Sequence, residues 1–539
     1  MQQPLSMFEN IIGKDHVLTD EKNLQKYHYA NIPLKKRKIL AVLQPGCKEE
    51  IVEIVKIASE YKIALYPIST GNNWGYGSAN PVKDDNVILD LSRMNQILEV
   101  NTELAYAVIE PGVTQEQLYQ HLQKLHQETK TPKLMMDPTG SGPSCSVLGN
   151  TLERGYGITP YGDHFNALCG MEVVLANGQI LDTGFGHFQG SKVTRLFRYG
   201  TGPYLDGLFT QSNLGIVTSI GIWLMPEPEH YEVCFFASDS KNALGDLIES
   251  TRWLLLNQVV KGSINLMHRD RILTLMMQYP MKEMEGKTPL DPKLSREIAK
   301  ELDICEWNGV VALYGTKEEV RASKKVIKRV LHGKVKRINF VSEQLLNFVE
   351  KYRWIIGPLG RIMRLDIKEL IKVLKPSLRL MKGKPCEISL PTPYWRSKKT
   401  IPDENINPAR DNCGIIWLAP VVPLTKKDAE HFIGVVTSIL NEYGFEPCIT
   451  FTAVTSRAFD CTLPILYDRD DPDDTQRAKE CHKKALKACM TNGYIPYRFG
   501  VQSMEDIVSE DDVFWQVAGK LKESLDPDGI LSPRRYSLR

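Results

Sequence analysis

Residues 67–79 read PISTGNNWGYGSA and overlap the end of a short strand-like run that begins at Ala64. Three glycines and several small hydroxyl residues allow such a loop to expose consecutive backbone N–H groups, an arrangement that binds anions such as a pyrophosphate. The same composition is also typical of a simple turn between two strands. The loop therefore predicts a nucleotide site only if other segments agree with it.

Two further segments share this composition. Residues 137–150 read DPTGSGPSCSVLGN and continue into TLERGYGITPYGDH at 151–164. A long stretch rich in glycine and serine, without periodicity, indicates a loop wrapped around an extended ligand. Residues 209–217, FTQSNLGIV, place a glycine before β-branched residues, which allows the backbone to approach a flat ring closely.

Regular elements surround these loops. Apolar spacing predicts a helix over 51–63, and the strand-like runs cover 86–94, 105–113, 171–181 and 215–226, with a hairpin turn at Asn177-Gly178. No GxGxxG motif opens a helix after the first strand, which argues against a Rossmann domain. After about His230 the runs read as an α/β sandwich of antiparallel type. We therefore predict the α+β class.

Composition excludes several function classes. The 539 residues carry 67 Lys+Arg and 65 Asp+Glu, a net charge of +2, so no global field attracts nucleic acid. The basic run at 322–337 has apolar residues at helical spacing and predicts an amphipathic helix with a solvated cationic face. Eleven scattered cysteines, with no zinc spacing, predict neither a disulfide framework nor a metal site. Without a secretory signal or a long apolar stretch, we expect a cytoplasmic protein without a membrane partner.

Eight sequence motifs, taken in chain order, resemble those of the vanillyl-alcohol oxidase/p-cresol methylhydroxylase flavoprotein family. They are STGNNWGYGSANP, VIEPGVT, LGNTLERG, TPYGDHF, GMEVVLANG, GPYLDGLFTQSNLGIVT, GYIPYR and LDPDGILSP. The motifs are most similar to the 4-cresol dehydrogenase (hydroxylating) flavoprotein branch. The resemblance implies a two-part FAD-binding domain of the p-cresol methylhydroxylase (PCMH) type with an inserted cap of antiparallel sheet and helices. It places the first part at 1–228, the cap at 229–490 and the returning segment at 491–539.

The resemblance also implies an FAD site made by the glycine-rich loops. The expected cofactor-binding residues are Ser69, Thr70, Gly71, Asn72, Asn73, Gly75, Ser78, Pro111, Gly112, Ser141, Gly142, Val147, Leu148, Gly149, Asn150, Arg154, Gly155, Tyr161, Gly162, Gly215, Ile216 and Val217.

In this family two tyrosines and an arginine hold a phenolic oxygen as the phenolate, while the benzylic carbon gives a hydride to the flavin and leaves a quinone methide. The resemblance places these catalytic roles on Tyr76, Tyr497 and Arg498. Two hydroxyl donors and a guanidinium suit the task because charge-assisted hydrogen bonds lower the pKa of a bound phenol. The alternative is that these are buried tyrosines and an arginine that pairs with a flavin or protein carboxylate.

The sequence departs from the family pattern in ways that bear on the chemistry. Ile415 stands where the family attaches flavin to a histidine, and Tyr394 is the remaining candidate for a tyrosyl link, so we favour non-covalent FAD. Thr450 and Phe459 replace an acid and a histidine, which leaves the catalytic base unplaced.

Four further residues carry open interpretations. Ser141 replaces a carboxylate beside the flavin, and Ile158 replaces a tyrosine that contacts the flavin ring. The Asp163-His164 pair is consistent with a catalytic dyad, but we favour a role in the conformation of the FAD-wrapping loop.

We predict an FAD-dependent oxidoreductase that oxidises the benzylic or para-alkyl position of a phenolic or related aromatic substrate. One alternative is oxidation of a non-phenolic alcohol, hydroxy acid or biosynthetic intermediate, and another is a catalytically silent flavin-binding subunit. Oxygen or an electron-acceptor protein would reoxidise the flavin. The resemblance implies a homodimer or a larger homo-oligomer, as is common in this family.

Overall fold

The computed structural model describes residues 2–352 and 367–538. In these ranges the strands are β1 Val17–Leu18, β2 Ile39–Leu43, β3 Ala64–Ile68, β4 Asn86–Asp90, β5 Ile97–Asn101, β6 Tyr106–Ile109, β7 Leu134–Met135, β8 Leu168–Val174, β9 Ile180–Asp182, β10 Ile216–Trp223, β11 Met225–Pro226, β12 His230–Ser238, β13 Ile264–His268, β14 Trp307–Gly315, β15 Arg337–Val341, β16 Gly414–Leu418, β17 Val421–Pro423, β18 Thr450–Ala453 and β19 Ala458–Tyr467. The α-helices are Gln2–Ile12, Glu21–Leu24, Lys48–Tyr61, Gln115–Thr129, Val147–Leu152, Ala243–Leu256, Arg269–Met276, Pro292–Glu301, Lys317–Leu331, Glu343–Lys351, Ile367–Met381, Lys426–Glu442, Pro472–Thr491, Met504–Ile507 and Val513–Leu525.

The first sheet has the strand order β1-β2-β4-β3, with β2 and β3 parallel to β4. The helix Lys48–Tyr61 buries Ile51, Ile54 and Val55 in the core of this sheet. The glycine-rich loop at 67–79 leaves the carboxyl end of β3, the edge at which parallel sheets bind ligands. The C-terminal segment returns here, because Leu65 N donates to Ile530 O at 2.7 Å and Ser532 N donates to Leu65 O at 2.8 Å.

The second sheet is antiparallel with the order β5-β6-β10-β8-β9. Its β8–β9 hairpin turns at Asn177-Gly178, where Gly178 has a φ of 80°, so the predicted turn is confirmed. The glycine- and serine-rich segment 137–164 lies between β7 and β8 and carries the short helix Val147–Leu152. Ser146 caps this helix by accepting a hydrogen bond from Gly149 N at 2.9 Å.

The third and largest sheet has the order β15-β12-β14-β13-β18-β19-β16, with β17 beside β19, and all its pairings are antiparallel. Side chains alternate between its two faces. Ile264, Leu266 and Phe451 pack into the core beneath the helices Ala243–Leu256 and Lys426–Glu442. Asn265 and Met267, on the opposite face, line a cavity.

The observed architecture confirms the predicted α+β class with an antiparallel cap sheet. The helix predicted within 322–337 spans Lys317–Leu331 and buries Val320, Ile327 and Leu331. The residue bounds assigned above to the three parts of the chain stay predictions. Within the described ranges, no helix has the length and apolar character needed to cross a membrane.

Candidate active site

A cavity of about 510 Å³ lies between the N-terminal glycine-rich loops and the open face of the large sheet. It brings together segments that are far apart in sequence, including the chain around 67–78, the returning segment and strands β13, β18 and β19. Most of the predicted site residues line it: Ser69, Thr70, Gly71, Asn72, Asn73, Tyr76, Ser78, Pro111, Ser141, Leu148, Gly149, Asn150, Gly155, Gly215, Ile216, Val217, Tyr497 and Arg498.

Seven predicted cofactor residues are not among those that line the cavity: Gly75, Gly112, Gly142, Val147, Arg154, Tyr161 and Gly162. Gly75 has a φ of 74°, and a Cβ there would lie 2.3 Å from Cδ1 of Trp417, so glycine is required by both backbone and packing. Val147 belongs to a buried apolar cluster, and Tyr161 is 38% exposed. These residues shape the loops from behind or lie at their outer rim.

The loop geometry fits a dinucleotide. The backbone N–H groups of residues 70–73 donate to no protein acceptor within the ranges that the structure describes. A Cβ on Gly149 would lie 2.4 Å from the Ser69 Oγ, so the two glycine-rich loops pack backbone to side chain at this point. Free backbone N–H donors in a glycine-rich loop are the groups that build an anion nest of the kind that holds a pyrophosphate. Gly215 instead makes room for Val173, because a Cβ on residue 215 would lie 2.5 Å from Cγ1 of Val173.

Tyr76, Tyr497 and Arg498 form one cluster in the cavity. The Arg498 guanidinium lies over the Tyr76 ring, 4.3 Å from its centroid, and its Nη2 donates to Asn73 Oδ1 at 2.6 Å. Burial raises the pKa of both tyrosines, and Arg498 opposes that rise. Tyr497 lies close enough to Tyr76 to raise the pKa of Tyr76 further. Two neutral hydroxyl donors beside a guanidinium are suited to an oxyanion.

Glu153, within the LERG word, is the anionic partner of two arginines. Its carboxylate accepts from Arg535 and lies 3.2 Å from Nε of Arg498. Burial raises the pKa of Glu153, but Arg535 and Arg498 outweigh burial and hold it below the ordinary value. Arg535 Nη1 also donates to the Tyr66 hydroxyl at 2.8 Å. Glu153 therefore keeps a charge that fixes both guanidinium groups at the cavity wall.

A third tyrosine, Tyr156, and a buried acid, Asp460, lie next to the cluster. The Tyr156 ring packs edge-on against Tyr497 with centroids 5.6 Å apart, and neither oxygen of the buried Asp460 carboxyl has a hydrogen-bond partner in the described ranges. Burial raises the pKa of Asp460 well above its ordinary value. A carboxyl group with a raised pKa keeps its proton to a higher pH than an exposed one does, and in the protonated form it can donate a hydrogen bond.

The positions at which the sequence departs from the family have distinct surroundings. Thr450 lines the cavity, whereas Phe459 is fully buried in the core against Phe451. Its neighbour Asp460 faces the tyrosines, because successive residues of β19 point to opposite faces. Strand alternation in SRAFDC is the signal that could have identified Asp460 from sequence.

Ile415 lines the cavity, whereas Tyr394 does not. The Tyr394 ring is fully buried, and its hydroxyl donates to Asp411 Oδ2 at 2.5 Å. Ser141 lines the cavity, as does Ile158.

His164 is held by two partners within the second glycine-rich segment. Its Nε2 lies 2.7 Å from Asp137 Oδ2, and its Nδ1 lies 2.6 Å from Asn150 Oδ1. Asp163 Oδ1 instead accepts from Asn166 N. His164 therefore ties the start of this segment to its end, consistent with a role in loop conformation.

Known proteins with the same organisation identify the family. The FAD binding domain model matches residues 39–184. The 1'-carboxy-chondrochloren decarboxylase of Chondromyces crocatus is 37% identical over 540 residues, which cover 100% of this chain and 98% of that protein. The 4-cresol dehydrogenase [hydroxylating] flavoprotein subunit of Pseudomonas putida is 30% identical, covering 98% of this chain and 94% of that protein. The chain belongs to the p-cresol methylhydroxylase/vanillyl-alcohol oxidase family of flavoproteins.

The fold agrees with this assignment. The crystal structure of p-cresol methylhydroxylase with substrate bound superposes with a TM-score of 0.87 at 29% identity, covering 99% of this chain and 96% of that one. The two-part FAD domain with an inserted cap, predicted from the motifs, is confirmed by this match. Membership in the family makes the protein an FAD-dependent oxidoreductase, and the loop geometry described above fits that cofactor.

Proposed function

We propose that this family member oxidises the benzylic position of a para-substituted phenol. The observation that carries the proposal is the cluster of Tyr76, Tyr497 and Arg498 in the cavity wall, with Arg498 4.3 Å from the Tyr76 ring centroid. The substrate classes named for the 4-cresol dehydrogenase and p-cresol methylhydroxylase relatives support the same chemistry. FAD, when bound, supplies the acceptor for a hydride and its two electrons.

The chain's own residues bind and polarise the phenol in this proposal. Tyr76 and Tyr497 donate hydrogen bonds to the phenolic oxygen, and Arg498 neutralises the phenolate charge that develops there. A stabilised phenolate favours removal of a hydride from the benzylic carbon. The phenolate oxygen donates electron density through the ring to that carbon, and the product of hydride loss is the neutral quinone methide. Glu153 and Asn73 hold Arg498 in place for this task.

The test is anaerobic titration of the purified holoenzyme, followed by flavin absorbance. We expect 4-ethylphenol to bleach the flavin, and 3-ethylphenol to leave it oxidised, because a meta-alkyl group cannot form the quinone methide. Bleaching by a hydroxy acid but by no para-alkylphenol would overturn the proposal in favour of the non-phenolic alternative. A flavin that no substrate reduces, but that photoreduction reduces, would support a silent flavin-binding subunit.

A second candidate reaction is oxidation coupled to loss of CO₂. The cavity has Thr450 where the resemblance leads one to expect an acid, and Phe459 lies in the core. Loss of CO₂ from the carbon beside the benzylic carbon needs no activated water: the carbon–carboxylate bond breaks, and its electron pair forms the alkene as the phenol is restored. The named activity of the Chondromyces crocatus relative supports this candidate. For 3-(4-hydroxyphenyl)propanoate the products are 4-vinylphenol and CO₂. The two electrons and two protons that are released pass through FAD to oxygen or to a protein acceptor.

We propose that FAD is held without a covalent bond. Ile415 has no nucleophile, and the hydroxyl of Tyr394 is bonded to Asp411 away from the cavity lining. Acid precipitation of the holoenzyme is therefore expected to leave the yellow colour in the supernatant. A yellow pellet that turns colourless in the Tyr394→Phe variant would contradict the prediction and identify the link.

A further inference from the structure

Arg271 lies on the cap side of the cavity. It is distant in sequence from Tyr76, Tyr497 and Arg498 and belongs to a different element of the fold. It belongs to the helix Arg269–Met276, which follows β13 directly. Arg271 and Leu275, one helical turn apart, both line the cavity. Arg269 and Asp270 instead contact Ser295, behind the wall.

The guanidinium of Arg271 has only neutral partners. Its Nη1 donates to Thr274 Oγ1 at 2.8 Å and to Thr392 Oγ1 at 3.0 Å. In the ranges that the structure describes, Nε and Nη2 donate to no protein acceptor, and no carboxylate lies within ion-pair distance of this residue. The side of the guanidinium that carries these N–H groups is therefore available to the cavity.

Other buried arginines of this protein are neutralised. Arg269 pairs with Glu306, and Arg396 pairs with Glu446 at 2.8 Å and with Asp474 at 3.4 Å. Arg271 is only 8% exposed, and burial lowers its pKa to about 10. A buried cation without a counter-charge is costly to the fold, so its retention at a cavity wall indicates an anionic ligand.

We propose that Arg271 binds a carboxylate of the substrate, which makes this protein selective for para-substituted phenols with an acidic side chain. The planar fork of a guanidinium matches a carboxylate through two parallel hydrogen bonds, which suits recognition of a planar anion. The inference rests on the proposed function, since Tyr76, Tyr497 and Arg498 must hold the phenol at the other end. Arg271 is then a specificity-determining residue that would hold the substrate carboxylate, whether that group is retained in the product or lost as CO₂.

The experiment compares two substrates of matched size, 3-(4-hydroxyphenyl)propanoate and its neutral amide. Both are titrated anaerobically into wild-type holoenzyme and the Arg271→Met variant, with flavin bleaching as the readout. We expect wild-type enzyme to bind the acid more tightly, and the substitution to weaken acid binding by about 10- to 100-fold while changing amide binding less than about threefold. Arg271→Lys should retain part of the preference, because it keeps a positive charge without the fork.

The controls separate this inference from the proposed function and from misfolding. Arg252→Met, at an arginine outside the cavity that pairs with Glu249, should leave both affinities unchanged. The flavin content and Tm of each variant report folding and cofactor retention. Equal wild-type affinity for acid and amide would overturn the role of Arg271 while leaving phenol oxidation intact. Loss of FAD from Arg271→Met, or equal weakening of both ligands, would also overturn it, whereas failure of both to bleach wild-type flavin would overturn the proposed function itself.

Discussion

Replacement of Arg498 by methionine is expected to lower kcat/KM for a para-alkylphenol by about 10³-fold. In the proposed reaction the substitution removes the positive charge that would stabilise the phenolate, and Tyr76 and Tyr497 would supply only neutral hydrogen bonds. Glu153 retains Arg535 as a partner, so the variant should fold and bind FAD. Single-turnover reduction of the flavin, measured by stopped flow from pH 6 to 10, checks the prediction.

The pH profile distinguishes a role with the phenolate from a structural one. Without Arg498 the pKa of the bound phenol rises, so the pH at which flavin reduction becomes fast should also rise.

A Tyr497→Phe variant should lose about 10²-fold in kcat/KM because it lacks one oxyanion donor. Tyr279→Phe is its matched control, because the Tyr279 hydroxyl donates to Lys287 O at 2.7 Å outside the cavity. An Arg498→Met enzyme with wild-type kcat/KM would contradict the assignment.

Replacement of Glu153 by glutamine is expected to cost about 3 kcal/mol of stability. The change leaves the guanidinium groups of Arg498 and Arg535, whose side chains are only 10% and 14% exposed, without a carboxylate, and an uncompensated charge away from water is strongly destabilising. The fall in Tm of the holoenzyme, followed by release of flavin fluorescence, measures the loss.

An exposed glutamate provides the comparison for Glu153. Glu249 pairs with Arg252, but its side chain is 42% exposed, so Glu249→Gln should change stability by less than about 1 kcal/mol. Combining Glu153→Gln with Arg535→Met should restore part of the lost Tm, because one of the two unpaired cations is removed. Equal Tm values for Glu153→Gln and Glu249→Gln would show that the buried pairing contributes little.

The glycine-rich loops could be recognised from sequence because their chemistry is local. The glycines of a run such as 67–79 permit backbone conformations that expose N–H donors, and the agreement of several such segments distinguishes a ligand-binding loop from a simple turn. Tyr76, Tyr497 and Arg498 were found through the family resemblance, since no pattern along the chain links a loop after β3 with a segment more than 400 residues later. Their shared position requires the returning segment, where Tyr497 N donates to Ala419 O at 3.1 Å.

Three polar residues of the site were missed, for different reasons. Glu153 lies within a word quoted for the resemblance, but its pairing with Arg535 joins opposite ends of the chain. Asp460 was overlooked beside Phe459, although period-two alternation separates their faces. Arg271 carries no sequence signal, because an arginine on a helix is ordinarily a solvated surface residue.

Local backbone preferences and apolar periodicity were enough to predict the glycine-rich loops, the order of helices and strands, and the α+β class, whereas the assignment of the loops to FAD came from the family resemblance. Which charges are paired depends on the folded chain. Glu153 neutralises two arginines, whereas Arg271 meets only threonines, and this difference depends on which distant segments pack together in a dry interior. Burial is what gives such pairing its energetic weight, and burial is a property of the folded chain.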